Sequence, residues 1–191
     1  MPENDAQADQ ILLKQLQQSD AQALATLMKK YYTDLYSYGM RFAQDEALVK
    51  DCIQEVFISL WQRRENVTTI LSLKYYLLRA VKNKMLKSLH QQANKTDSLD
   101  NQDTYDFLQE YSIERLIIEK QVSDEKAAAL RRTLTQLSPR QHEVIYLKFY
   151  QHLDHGQIAE LMHISRQSVY NLLNEALQKL RTLWHAEFLT K

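Results

Sequence analysis

The stretch Ile158–Leu173, IAELMHISRQSVYNLL, decides the fold of the C-terminal part of the chain. Ile158, Leu161, Ile164, Val169 and Leu172 recur at helical steps on either side of a break at His163–Ser165. That spacing predicts two closely linked helices sharing one core, the pattern of a helix-turn-helix. Ala159 falls where such helices approach most closely, and a larger side chain would hold them apart. The corner residue is His163, where glycine would supply positive φ without strain. Histidine is enriched among left-handed residues, and the penalty of roughly 1–2 kcal/mol is within what a small bundle absorbs.

Working outward, cap signals bracket this pair. Ser165 can cap the last helix, and Asp154 with Gln157 makes a capping box ahead of it. Ser138, Pro139 and Gln141 repeat the signature, with proline at the first helical position. Ser123 can cap a helix running through Leu137. Four helices with short corners predict a second bundle. Towards the N-terminus, Ser19 with Gln22 reads as a cap for the helix carrying Leu24, Leu27, Met28, Tyr31, Leu35, Tyr38 and Phe42. Asp45 caps the next, with Leu48, Cys52, Ile53, Val56, Phe57, Leu60 and Trp61. The polar stretch QRRENVTT reads as a loop leading to a third helix from about Ser72, with Leu77, Val81, Met85 and Leu89 on one side. Three amphipathic helices of this length close a small bundle.

Between the bundles, from about Gln91 to Asp106, the sequence is polar, acidic and aperiodic, as expected of a linker; FLQEYSIERLIIEKQV beyond it reads as helical. The expected organisation is a domain over 10–92, a linker over 93–122 and a domain over 123–187. With only 2 glycines and 2 prolines in 191 residues, little material is left for strands or hairpins, and the fold class is all-α.

The N-terminal MPENDAQADQ has no apolar segment of a secretory signal, and no run reaches the length of a membrane span, so no direct membrane insertion is expected. Cys52 is the one cysteine, which excludes an internal disulfide and fits a reducing compartment; a cytoplasmic location is expected. The 24 basic and 24 acidic residues cancel. They are unevenly spread: Lys74, Arg79, Lys82, Lys84, Lys87 and Lys95 occur without an acid from Ile70 to Lys95, followed by an acidic run from Asp97 to Glu110. A neutral chain attracts nucleic acid weakly, because affinity for phosphates scales with the cations delivered. If this chain binds DNA, a larger partner is expected to help it.

On the last helix Gln167, Asn171, Asn174 and Gln178 share a strip opposite Val169, Leu173, Ala176 and Leu180. Asn and Gln can bond the N6/N7 edge of adenine at two points. Only the first turns of such a helix normally reach bases, so Arg166, Gln167, Ser168, Tyr170, Asn171 and Asn174 are the candidate readers, with Lys179 and Arg181 suited to phosphates. An ordinary solvated face explains the same strip.

Three segments carry a resemblance: DCIQEVFISLW (51–61), LKYYLLRAVKN (73–83) and LSPRQHEVIYLKFYQHLDHGQIAELMHIS (137–165). In this order, with an acidic linker between, the chain from Ile11 to Arg181 resembles a bacterial extracytoplasmic-function sigma factor, the promoter-recognition subunit of RNA polymerase. The first two segments are similar to that family's region 2, and the third to its region 4. The resemblance implies that Asp51, Gln54 and Glu55 dock on core RNA polymerase. It implies that the segment Arg63 to Ile70, with Arg63, Arg64 and Asn66, and the stripe Arg79, Asn83, Lys87 and His90 handle the −10 element of promoter DNA. Tyr75 and Tyr76 beside that stripe suit unstacked bases or core packing. Family members often carry Asp and Arg where this chain has Lys87 and His90, which implies an unusual −10 preference and, through His90, sensitivity to pH. The last helix would hold the −35 element, and an anti-sigma factor is the expected regulator.

Two rivals stay open at this stage: a stand-alone dimeric helix-turn-helix regulator, and an adaptor with the fold that contacts only protein. No enzymatic activity, catalytic residue or cofactor is expected, for there is no Gly-rich phosphate loop and no nucleophile–base set. His142, His152, His155 and His163 lack a metal-binding motif such as H-E-x-x-H, so no metal is expected.

Overall fold

The computed structural model describes residues 2–94 and 132–188, with side chains over 5–92 and 132–183. Its elements are helices, and no strand occurs among the described residues. They fall into two compact units, one on each side of the interval 95–131. The acidic linker, the Ser123 cap and the helix expected around FLQEY lie outside the described residues. No described helix is long and apolar enough to cross a membrane.

The first unit contains α1 (Pro2–Gln17), α2 (Ala21–Gly39), α3 (Glu46–Gln62), a 3-10 helix (Arg64–Thr69) and α4 (Leu73–Asn94). The apolar stripes read from the sequence form its core: Leu27, Tyr31, Leu35 and Tyr38 from α2, Ile53, Val56, Phe57 and Leu60 from α3, Leu77, Val81 and Met85 from α4. Fully burying each aliphatic side chain contributes about 1.5–3 kcal/mol. Cys52 is buried in this packing, which pushes its thiol pKa up. Helices α2 and α3 meet closely at Gly39, where a Cβ would stand 2.7 Å from Val49 Cγ1.

Three expectations are corrected here. The cap of α2 is Asp20, whose side chain accepts from the Gln22 amide at 2.8 Å. Ser19 is instead left-handed, with φ 65°. The N-terminal segment forms α1, which buries Leu13, Leu16 and Asp9. The polar pattern concealed it because Asp9 is buried by pairing: its carboxylate accepts from Lys30 Nζ at 2.7 Å and from the Tyr31 hydroxyl. QRRENVTT is ordered largely as the 3-10 helix, anchored by buried Val67. Asp45 caps α3 as expected, accepting from the Leu48 amide at 3.0 Å.

In the second unit residues 132–134 are helical and end in a turn, followed by α5 (Pro139–Ile145), a π turn (Tyr146–Tyr150), α6 (His155–Met162) and α7 (Arg166–Phe188). Both capping boxes form, Ser138 with Gln141 and Asp154 with Gln157. Ser165 Oγ accepts from the Ser168 amide at 3.0 Å and starts α7. His163 takes the left-handed conformation the corner requires, φ 52° and ψ 46°, and lets α6 and α7 share Ile158, Leu161, Val169 and Leu173. His142 is buried, with Nε2 2.6 Å from the Leu134 carbonyl, so it serves the core.

Candidate functional site

The outer face of α3 carries the residues expected to dock on polymerase. Asp51, Gln54 and Glu55 are all exposed, while Cys52, Ile53, Val56 and Phe57 between them are buried. Ile58, one turn on from Gln54 and Glu55, is 46% exposed and puts an apolar centre in this polar face. Sequence reading passed over it because Ile58 lies among core residues. Glu55 is not isolated: Lys84 of α4 meets its carboxylate at 2.5 Å. Lys84 joins this face through a pairing that no sequence spacing announces.

The basic character of α4 is narrower than the sequence implied. Lys82 is fully buried, its ammonium 5.9 Å from the Phe42 ring centroid. Lys74 pairs with Asp34 at 3.3 Å, and Lys84 with Glu55. Arg79, Asn83 and Lys87 are exposed and His90 half-buried, on the side of the helix opposite Leu78, Val81 and Met85. Arg79 and Lys87 are thus the outward cations of the expected stripe. Tyr75 and Tyr76 are both half-buried, and the Tyr75 hydroxyl accepts from Arg79 Nη1 at 3.4 Å.

The segment ahead of α4 is fixed by α1. Gln17 Nε2 donates to the Glu65 carbonyl at 2.9 Å and Gln10 Nε2 to the Ile70 carbonyl at 2.8 Å. Arg64 is committed to this framework: Nε donates to Ser19 Oγ at 2.9 Å, Nη1 to the Trp61 carbonyl at 3.1 Å, and the guanidinium lies 4.9 Å from the Trp61 ring centroid. Arg63 and Asn66, the other expected −10 contacts, are exposed. Beyond them Leu71 is 94% exposed.

On α7 the expected strip exists. Gln167, Asn171, Asn174 and Gln178 are exposed, and Val169, Leu173 and Ala176 are buried opposite them. Gln167 Nε2 donates to Asn171 Oδ1 at 3.1 Å, which orders the two amides relative to each other. Tyr170 stacks on His155 of α6, with centroids 4.3 Å apart and planes 26° apart. The Arg166 guanidinium lies over Gly156, where a Cβ would stand 3.0 Å from Nη2. Arg166 and Tyr170 therefore flank α6, while the amides form the outward strip. Ser168 is half-buried and faces Ser165, with their hydroxyls 2.8 Å apart. Lys179 donates to the Gln136 carbonyl, so its ammonium ties α7 to the preceding turn; Arg181 is exposed. His155, not among the expected readers, entered through its ring contact alone.

Comparison with known proteins agrees with this architecture. Residues 27–95 match the family described as Sigma-70 region 2, and residues 127–180 match Sigma-70, region 4. No curated protein matches the chain in sequence. Among solved structures the chain is similar to CnrH, determined in complex with the cytosolic domain of CnrY: 22% identity, TM-score 0.56, covering 94% of this chain and 98% of that one. It is also similar to the sigma factor RpoE from Bartonella quintana, determined in complex with the anti-sigma factor NepR: 12% identity, TM-score 0.55, covering 84% of this chain and 95% of that one. At those identities the structural likeness speaks for the fold. The two matched regions, in this order and spanning well over half of the sequence, show that the chain belongs to the sigma-70 family.

Proposed function

We propose that this chain is a promoter-specificity subunit of the extracytoplasmic-function type, working in the cytoplasm on core RNA polymerase and having no catalysis of its own. The first unit, residues 10–92, docks on polymerase through Asp51, Gln54, Glu55 and Ile58 and handles the −10 element with Arg63, Asn66 and the α4 stripe. The second, residues 123–187, places α7 in the major groove of the −35 element. Gln167, Asn171 and Asn174 read bases, and Arg181 faces phosphates.

The observation that carries this reading is that both matched regions expose their contact strips while the intervening apolar stripes are buried. A net charge of zero fits the same division of labour, since polymerase must supply affinity that the chain lacks. A dimeric regulator would leave the α3 face and the α4 stripe without a purpose. An anti-sigma factor is the proposed regulator, supported by the anti-sigma factor NepR named with the similar RpoE structure.

The test is titration of purified core polymerase with the labelled full chain. Saturable binding at a ratio of one chain per polymerase, weakened by substitution of Glu55 and Ile58, is expected. No association at physiological salt would overturn the proposal.

A further inference from the structure

The side chains of Gln167 and Asn171 stand one turn apart on the outward strip of α7, both exposed, and Gln167 Nε2 donates to Asn171 Oδ1 at 3.1 Å. The backbone beneath them is held firmly. Ser165 Oγ accepts from the Ser168 amide at 3.0 Å, and Val169, between the two amides in sequence, is fully buried. Arg166 and Tyr170, their neighbours in sequence, lie against α6. Glu175, one turn beyond Asn171, accepts from Gln141 Nε2 of α5 at 3.4 Å. Along the strip, the partner of Asn171 is Gln167.

An amide is a donor at one end and an acceptor at the other, and half a turn about its last torsion exchanges the two. A lone glutamine can therefore serve either purine. It can offer N–H groups to guanine, whose major-groove edge carries the acceptors O6 and N7. It can equally offer one N–H and its oxygen to adenine, whose edge pairs the N7 acceptor with an N6 donor. The bond to Asn171 removes that freedom. One Nε2–H is engaged, and Gln167 presents its other N–H and Oε1 side by side, the complement of adenine. Guanine in the same place would set O6 against Oε1, leaving two acceptors facing each other away from water. We propose that Gln167 reads adenine at one position of the −35 element, and that Asn171 is the positioning residue that fixes the sense of its amide and so excludes guanine. This rests on the reading of α7 as the −35-binding helix. It adds the base that is selected and the means of selection, two amides acting as one reader of a single base pair.

The experiment uses the full chain assembled with core polymerase, in competition across fragments with a randomised −35 element and a constant −10 element. The wild type is expected to prefer adenine over guanine at one position by about ten- to hundredfold. Gln167→Ala and Asn171→Ala are expected to relax that same position to about threefold or less and to leave the ranking elsewhere unchanged, with the double variant no worse than either single one. Asn171→Asp, which keeps the acceptor, retains the adenine preference while binding all sequences more weakly, because its charge repels phosphates. For the wild type, replacing the selected adenine by 7-deazaadenine, which lacks N7, or by a purine lacking the N6 amino group lowers affinity about fivefold or more. Relaxation of two different positions by the two alanine variants would overturn the coupling, and so would loss of the adenine preference in Asn171→Asp. A position relaxed by Gln167→Ala at which the wild type selects a base other than adenine would overturn the base assignment. A wild-type chain that assembles with polymerase but shows no preference anywhere in the −35 element would overturn the −35 reading itself and the amide reader with it.

Discussion

Lys84 of α4 and Glu55 of α3 meet at 2.5 Å, so a cation from the basic helix reaches onto the face proposed to dock on polymerase. Exposed pairs of this kind contribute roughly 0–1 kcal/mol to folding. What the pair does here is hold the Glu55 carboxylate against α4. Lys84→Ala is therefore expected to leave thermal stability within about 1 kcal/mol of the wild type. Ile58→Ala, which removes the apolar centre of the face, is expected to weaken core binding about tenfold. Calorimetric melting and a polymerase titration check the two halves; equal binding by Ile58→Ala would contradict the assignment.

The His155–Tyr170 stack makes a separate prediction about the second unit. With its ring held against α6, Tyr170 lies beside the amide strip, on the side of α7 that also carries Arg166. Tyr170→Ala should weaken binding of the holoenzyme to every −35 sequence by a common factor, whereas Asn171→Ala should relax preference at one position. His155→Phe, which keeps a flat ring, should behave like the wild type, and His155→Ala should follow Tyr170→Ala with a loss of roughly three- to tenfold. Competition across a pool of randomised −35 sequences separates these outcomes. A re-ranked pool with Tyr170→Ala would assign that residue to base reading instead.

The corner at His163 is strained by its left-handed backbone, φ 52°. His163→Gly removes the steric cost while adding chain entropy to the unfolded state, so a net gain of about 0.5–1 kcal/mol is expected. His163→Val should destabilise by more than that, because a β-branched residue tolerates positive φ poorly. Urea midpoints of the full chain report both, and a less stable glycine variant would contradict the strain.

The Asp9–Tyr31 contact predicts alkaline behaviour. Burial, followed by the hydrogen bond to Asp9, raises Tyr31 above its ordinary pKa of 10.0. Burial alone would lower Lys30, but its pairs with Asp9 and Asp5 outweigh that and hold it above 10.5. Above pH 10 the unfolded tyrosine sheds its proton while the folded one keeps it, so the unfolded state binds fewer protons and stability falls as pH rises. The contribution is fully present below the unfolded values and is lost as pH climbs through the folded ones. Tyr31→Phe should cost about 1.5–3 kcal/mol near pH 8, the range for a hydrogen bond to a charged group. The gap to the wild type should narrow above pH 10. Parallel stability curves would contradict the coupling.

The sequence was most legible where one local signal sufficed. Ser138/Gln141 and Asp154/Gln157 each announce a helix start through a spacing of three, and both boxes form. The stripes of α2, α3 and α4 are periodic and their centres are buried, while Leu24, Met28, Leu48, Trp61 and Leu89, also read as core, are half-buried at their edges. What stayed hidden depended on partners distant in sequence. Helix α1 went unread because its Asp9 is balanced by residues 21 and 22 positions away. Lys82 looked like surface charge although α4 turns it into the core. Lys179 looked free for phosphates, yet Gln136 takes it. Among the candidate readers, exposure of the amides followed from periodicity, but the placement of Tyr170 depended on His155 across the corner.

The most direct measurement is run-off transcription by purified core polymerase over a pool of random promoters, with and without the purified chain. A specificity subunit yields transcripts only when the chain is added, enriched for templates sharing two asymmetric elements at fixed separation. Chain-independent transcripts alone, or enrichment of palindromes, would contradict the central claim.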